Sequence, residues 1–317
     1  MVSLALSPTD YRTITESCGW LDQSDRGKLA LTGSEAAAFL QGQVSNDVEA
    51  LEPGTGCYAA FLTPKGKMLG DLRILATEDE LLLDTERVSL QPLFNLIRRS
   101  LIGYDAQLHK RTLERGLVSL VGPQAPAVAQ APALQSAPEH THVAVRIGQV
   151  GARAVRTDVG VDLFFAAEDA EALRGALPDL GAREVSLAAV ECLRVEHGRP
   201  RYGIDLDDTV IPQEAGLNER AVSFSKGCYV GQETVARLHW RGKPNRHLRG
   251  LRLSAPADPG AELRSGERTV GRLGSVAESP RFGPIGLALV RREVTPESTV
   301  MVGESRAPAQ VVELPFS

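Results

Sequence analysis

VSFSKGCYVGQETVARLHWRGKPNRHLRG, Val222–Gly250, holds both the chemistry and the division of this chain. Gly227 and Gly231 flank Cys228 and let the backbone approach a neighbour closely. "GQETVARL" then reads as the start of a helix. "GKPN" (242–245) breaks it, and alternating apolar and polar residues begin at His247. From there short runs such as "HLRGLRL", "TVGRLGSVAE", "IGLALVRR" and "AQVVEL" recur about every ten residues between Gly, Pro, Asp and Ser. That texture predicts a small antiparallel barrel or sandwich over 244–317.

Working back from this boundary, residues 1–243 read as an α+β unit. "GKLALTG", "CYAAFL", "MLGDLRILA" and "DELLLD" are strands, with a turn at "TPKG". Ser34 is placed as the cap of a helix through "EAAAFLQGQ". Leu90, Leu93, Phe94, Ile97 and Leu101 have helical spacing, with Ser89 as cap. A loose linker is expected over 122–140, which is rich in Ala, Pro and Gln. Strands "HVAVRI", "ARAVRT" and "VDLFFA" follow, then helices over about 168–177 and 186–197. The order suggests two related halves, 1–121 and 140–243.

The 317 residues carry 43% hydrophobic and 24% charged side chains and a net charge of -5. This is the balance of a soluble globular protein, not of one coated in nucleic acid. Cys18, Cys57, Cys192 and Cys228 are widely spaced, with no CxxC pair. They form neither a disulfide framework nor a zinc or iron–sulfur ligand set, so a reducing, cytoplasmic setting is expected. The start "MVSLALSPTD" lacks the features of a signal peptide, and prolines break the longest uncharged stretch, so no membrane span is expected.

Three sites stand out. Cys228 is either a packed turn thiol or a reactive sulfur, its thiolate favoured by Lys226 and a helix N-terminus. Glu196 falls on an apolar helical stripe with Ala189, Cys192 and Leu193. It needs a donor there, an arginine or the N–H edge of a heterocycle such as a pterin, unless it turns outward at the helix end. Arg237, Arg241, Lys243, Arg246, Arg249 and Arg252 form a basic run with no acid between Glu233 and Asp258. It suits a polycarboxylate, a phosphate or an RNA backbone, or is a solvated face.

The stretches "FLQGQVSNDV" (39–48), "AAFLTPKGKMLGDL" (59–72), "LRVEHGRPRYGID" (193–205), "TVIPQEAGL" (209–217) and "AVSFSKGCYVGQETVAR" (221–237) together resemble the YgfZ family of folate-binding proteins. These are relatives of the glycine-cleavage aminomethyltransferase, the T-protein. The resemblance implies an α+β, two-halved folate-binding domain of the aminomethyltransferase type, followed by a small antiparallel β-barrel. It implies tetrahydrofolate as cofactor, with Glu196 on the pterin and Asp71, Asn46, Tyr229, Gly231, Gln232, Glu233 and Arg237 around the ligand. Arg237 is the first candidate for the folate's glutamate tail. Cys228, with Lys226 beside it, becomes a redox, sulfur or metal contact. The implied role is an accessory factor for iron–sulfur enzymes or their assembly machinery, with a link to tRNA modification. A folate-dependent aminomethyl transferase and an RNA-binding module using Arg237–Arg252 are the alternatives. One departure is visible: the aminomethyltransferases have paired acids where this chain reads Gly70–Asp71, which argues against the transferase reading.

Overall fold

The apolar runs become strands, and strand parity then decides which side chains meet. The computed structural model describes residues 6–317. One five-stranded sheet contains β2 (Gly27–Thr32), β3 (Gly56–Leu62), β4 (Met68–Ala76), β5 (Leu81–Thr85) and β6 (Gln107–Lys110), in the order β3-β4-β5-β2-β6. A six-stranded sheet contains β1 (Gly19–Asp22), β7 (Arg115–Val121), β8 (His142–Ile147), β9 (Val150–Arg156), β10 (Gly160–Ala166) and β11 (Arg183–Glu184), in the order β11-β1-β7-β10-β9-β8. A closed barrel follows, β12-β15-β14-β13-β16-β17, from β12 (Arg246–Leu253), β13 (Glu262–Ser265), β14 (Arg268–Ser279), β15 (Gly283–Arg291), β16 (Thr299–Val302) and β17 (Ala307–Val312). The helices are α1 (Pro8–Glu16), α2 (Ala36–Gln41), α3 (Arg87–Ser100), α4 (Ala125–Val128), α5 (Ala170–Ala176), α6 (Leu187–Glu196), α7 (Asn218–Ala221) and α8 (Gln232–Arg241).

A fold of two α+β halves followed by an antiparallel barrel is what the sequence predicts. The division at residue 121 does not follow the sheets, however. β1 and β7 come from the first 121 residues but pair within the sheet of the second half. Nor is 122–140 a loose linker. Ala125, Val128, Ala129, Ala131 and Leu134 are buried against Trp20 and Phe165. Alanines and prolines there make short helical turns whose small side chains lie close on the sheet. Two caps also differ. Ser34 bonds Asp105 instead of starting α2, and Ser89 lies buried inside α3, which begins at Arg87 directly after β5.

On β4 the even residues Leu72, Ile74 and Ala76 join the core under α2 and α3. The odd residues Asp71, Arg73 and Leu75 face the other sheet. Leu75 and Leu82 meet Leu117, Val155 and Phe164 of that sheet in a dry patch. Beside this patch, Arg73 donates to Asp84 on β5 at 2.7 Å and to Asp162 on β10 at 2.6 Å, so one guanidinium links the two sheets. Arg26 holds the other oxygen of Asp84. Burial alone would push the Asp84 pKa up, but the two guanidiniums outweigh it and hold it at about 2, below its ordinary 3.8.

Removing one partner of a buried pair leaves uncompensated charge, so Asp84→Asn is expected to lose about 3–5 kcal/mol in urea denaturation. Because the folded pKa is depressed, the stabilisation by Asp84 is complete above the ordinary carboxylate range. It is lost as pH falls from about 4 towards 2. The mutant is expected to show a flatter acid limb than the wild type.

Candidate functional site

Next to the dry patch the facing sheets turn polar and enclose a cavity of about 220 Å³. Register explains its lining. Tyr58 pairs with Arg73 and Ala60 with Asp71 across β3 and β4, so Tyr58, Asp71 and Arg73 share the inner face. Ser119 and Asp162 pair on the opposing sheet. Helix α6 and the 199–202 segment close the side with Val190, Glu191, Arg194, Arg199 and Arg201.

Most carboxylates at this cavity are held by guanidiniums. Glu86 meets Arg26 and Arg201, Glu139 meets Arg220, and Asp158 meets Arg199. Asp162 meets Arg73, and Glu191 meets Arg194 and Arg201. Asp71 differs: among the described residues no cationic side chain lies within salt-bridge distance of it. Its Oδ2 accepts the Tyr58 hydroxyl at 2.5 Å. Its Oδ1 accepts no bond from a described residue. Burial raises the Asp71 pKa to about 6, despite the lowering effect of the Tyr58 bond. Asp71 therefore lies close to a pH at which it exchanges protons while remaining mostly ionised at neutral pH. His140 lines the same cavity, and burial pushes it down to about 3, so its imidazole is neutral.

The missing acid at Gly70 has a geometric answer. A Cβ built there would lie 3.1 Å from Leu93 and 3.2 Å from Ser89, both on α3. A side chain at 70 would thus face the helical core and not the cavity. Asp71 alone takes the parity of the cavity face, so Gly70 does not weigh against a transferase.

Glu196 is elsewhere. It lies 500° of helical turn from Glu191, about 140° around the axis at roughly 100° per residue. Its carboxylate, 2% exposed, accepts Tyr11 Oη at 2.9 Å on both oxygens and Ser279 Oγ at 2.5 Å. The donors that its burial demands come from α1 and the barrel, and it does not line the cavity. The carboxylate that α6 turns to the cavity is Glu191.

The loop 222–231 is likewise distinct from this cavity. Cys228 is exposed. Lys226 does not accompany it: its buried Nζ donates to the carbonyls of Gln41, Val44 and Asn46 at 2.6–2.8 Å. Burial lowers Lys226 to about 8. It fastens the 41–46 turn and is not directed at Cys228. Asn46 bonds the carbonyls of Tyr58 and Arg220 and is also structural. Tyr229 packs in a core with Leu62, Met68 and Val235. Gly231 precedes α8 at φ 87°, where a Cβ would lie 2.6 Å from the Thr63 carbonyl. Gln232 and Glu233 form the first turn of α8, and Arg237 lines a second cavity on the barrel side. The basic run is not one surface. Arg246 pairs with Glu214 and Arg249 with Glu313, while Arg252 bonds the Ser317 carbonyl oxygen.

Tyr58, Arg73, Glu191, Arg194 and His140 are cavity residues that the sequence reading missed. The available signal was charge at alternate positions inside strands otherwise apolar, as in "MLGDLRILA" and "VDLFFA".

Comparison with known proteins agrees with this architecture. The GCVT N-terminal domain model matches residues 5–226, and the glycine cleavage T-protein C-terminal barrel domain model matches 246–317. An aminomethyltransferase of Geobacillus kaustophilus is 30% identical over 97% of this chain and 89% of its own. A putative chloroplastic transferase of Arabidopsis thaliana is 28% identical over 93% of this chain and 70% of its own. The crystal structure of the glycine cleavage system aminomethyltransferase T from Bartonella henselae has the same fold, with a TM-score of 0.87 at 24% identity, covering 98% of this chain and 91% of that one. No described helix is long and apolar enough to cross a membrane.

Two substitutions separate structure from site. Glu196→Gln replaces one of the two oxygens that accept the Tyr11 and Ser279 hydroxyls with an N–H donor and is expected to cost about 1–3 kcal/mol in chemical denaturation. Gly231→Ala forces a left-handed residue against a carbonyl and is expected to cost ~2 kcal/mol or more, with a matching fall in melting temperature.

Proposed function

The chain belongs to the glycine-cleavage T-protein family, and from that premise we propose that it is a tetrahydrofolate-dependent one-carbon transferase acting at the cavity around Asp71. The observation that carries this reading is a buried carboxylate, free of guanidinium partners, at the wall of a cavity whose other acids are neutralised. A reduced pteridine fits such a donor set: its N–H groups need an acceptor, and Asp71 Oδ1 is one without a partner among the described residues. Bound there, tetrahydrofolate supplies a nucleophilic amine, N5, that accepts a one-carbon unit. The chain's own part is positioning and proton handling. Tyr58 fixes the Asp71 carboxylate through Oδ2 and leaves Oδ1 to hold or take the proton of a reacting amine. The ion pairs of Arg73, Arg194 and Arg201 keep the wall rigid, so the geometry does not have to be assembled at the moment of reaction.

Cys228 supports a second reading, that of an accessory factor for iron–sulfur enzymes with a link to tRNA modification. It is the exposed cysteine of the four, on a loop anchored by Lys226. A Cys228→Ala chain that fully restores iron–sulfur enzyme activity in cells lacking the protein would remove that reading.

For the main reading, isothermal titration with tetrahydrofolate and turnover with an aminomethyl donor are measured together. Asp71→Asn is expected to keep affinity within about tenfold and to lose about 100-fold or more in turnover. Glu196→Gln is expected to bind as the wild type does. Turnover is expected to fall as pH drops through about 6, because the ionised Asp71 is the active form. Wild-type protein that binds no folate, or an Asp71→Asn enzyme with full turnover, would contradict the proposal.

A further inference from the structure

A second cleft, of about 860 Å³, lies between the barrel, α8, the β3–β4 turn and the 204–214 segment. It shares no lining residue with the first cavity, and the Arg194–Asp205 ion pair, at 3.1 Å, stands between the two. Six cations line the cleft: Lys65, Lys67, Arg237, Arg246, Arg272 and Arg291. They come from the β3–β4 turn, α8, β12, β14 and β15, so sequence proximity does not explain their meeting.

The barrel register makes the cluster costly. Arg246 on β12 pairs directly with Arg291 on β15, so both side chains leave the same face. Arg272 pairs with Leu289, two residues from Arg291, and lies diagonally beside it on that face. Like charges directly opposite one another in a sheet are destabilising. Only one of the three is compensated by an ion pair. Glu214 grips Arg246 with both oxygens at 2.8 and 3.1 Å. Glu262, opposite Arg272, is bonded to Arg264 and Thr269. Asp207 caps the backbone of Thr209. Among the described residues, Lys65, Arg237, Arg272 and Arg291 have no salt-bridge partner.

We infer that this cleft binds a small multivalent anion, one molecule carrying three or more phosphate or carboxylate charges. Arg272 and Arg291 are its primary contacts and Arg237 and Lys65 the facing ones. Guanidiniums suit both groups, because each presents a planar fork to two anionic oxygens. Glu262, opposite Arg272, offsets part of this charge, and an anion shared between Arg272 and Arg291 supplies the rest. The inference is independent of folate binding at Asp71.

The test is isothermal titration of the full chain with inorganic tripolyphosphate and, separately, with citrate. Saturable one-to-one binding of either supports the inference, and the tighter one identifies the ligand as a phosphate or a carboxylate compound. Arg272→Glu with Arg291→Glu is expected to weaken binding at least tenfold. Arg268→Glu, on the same barrel but paired with Glu293 outside the cleft, is expected to leave it unchanged. Arg291→Ala removes the repulsion, so it is expected to melt no lower than wild type and still to bind more weakly. Absence of binding by both anions, equal weakening by Arg268→Glu, or unchanged affinity in a folded Arg291→Ala protein would overturn the inference.

Discussion

A single guanidinium, Arg73, crosses from one sheet to the other and is the contact on which the central cavity depends. It is held by Asp84 on its own sheet and by Asp162 on the facing one. A buried charge of this kind is tolerated only with full compensation, and two carboxylates provide it. The pairing fixes how far apart the sheets stand at their polar end. The dry patch of Leu75, Leu82 and Phe164 fixes the other end. Between these two constraints the cavity is a consequence of register.

The contrast between Asp71 and its neighbours follows from the same geometry. Asp71 is two residues from Arg73 and faces the same way, but Arg73 is already committed to two other acids. Its own partner is a neutral phenol, which orients the carboxylate without neutralising it. Helix α6 repeats the division. One stripe sends Glu191 and Arg194 to the cavity, while another sends Cys192 and Glu196 into a closed contact with α1 and the barrel. Two glutamates five residues apart on one helix therefore serve different ends.

Much of the architecture could be read from pattern. Runs such as "LALT" and "FLTPKGKM" announce strands and a turn, and the alternating C-terminal texture announces the barrel. What could not be read was partnership. That Glu196 is buried near a helix end follows from spacing, but the hydroxyls that satisfy it come from residues 11 and 279. Lys226 beside Cys228 suggests an activated thiol in one dimension. In three dimensions its ammonium points to the carbonyls of a turn 180 to 185 residues away. The place of β1 and β7 in the second sheet was hidden for the same reason, since β1 (GWLD) is too short, and β7 (RGLVSLV) too evenly apolar, to mark its sheet. The clue that survived was charge of one parity inside apolar strands.

A crystal structure of the chain with tetrahydrofolate bound would decide where the folate sits. The reduced ring is expected in the cavity between the two sheets, with an N–H group within hydrogen-bond distance of Asp71 Oδ1 and the Tyr11–Glu196–Ser279 contact intact. A ring seated on Glu196 with that contact broken, or one lying against Cys228 with the cavity empty, would contradict that placement.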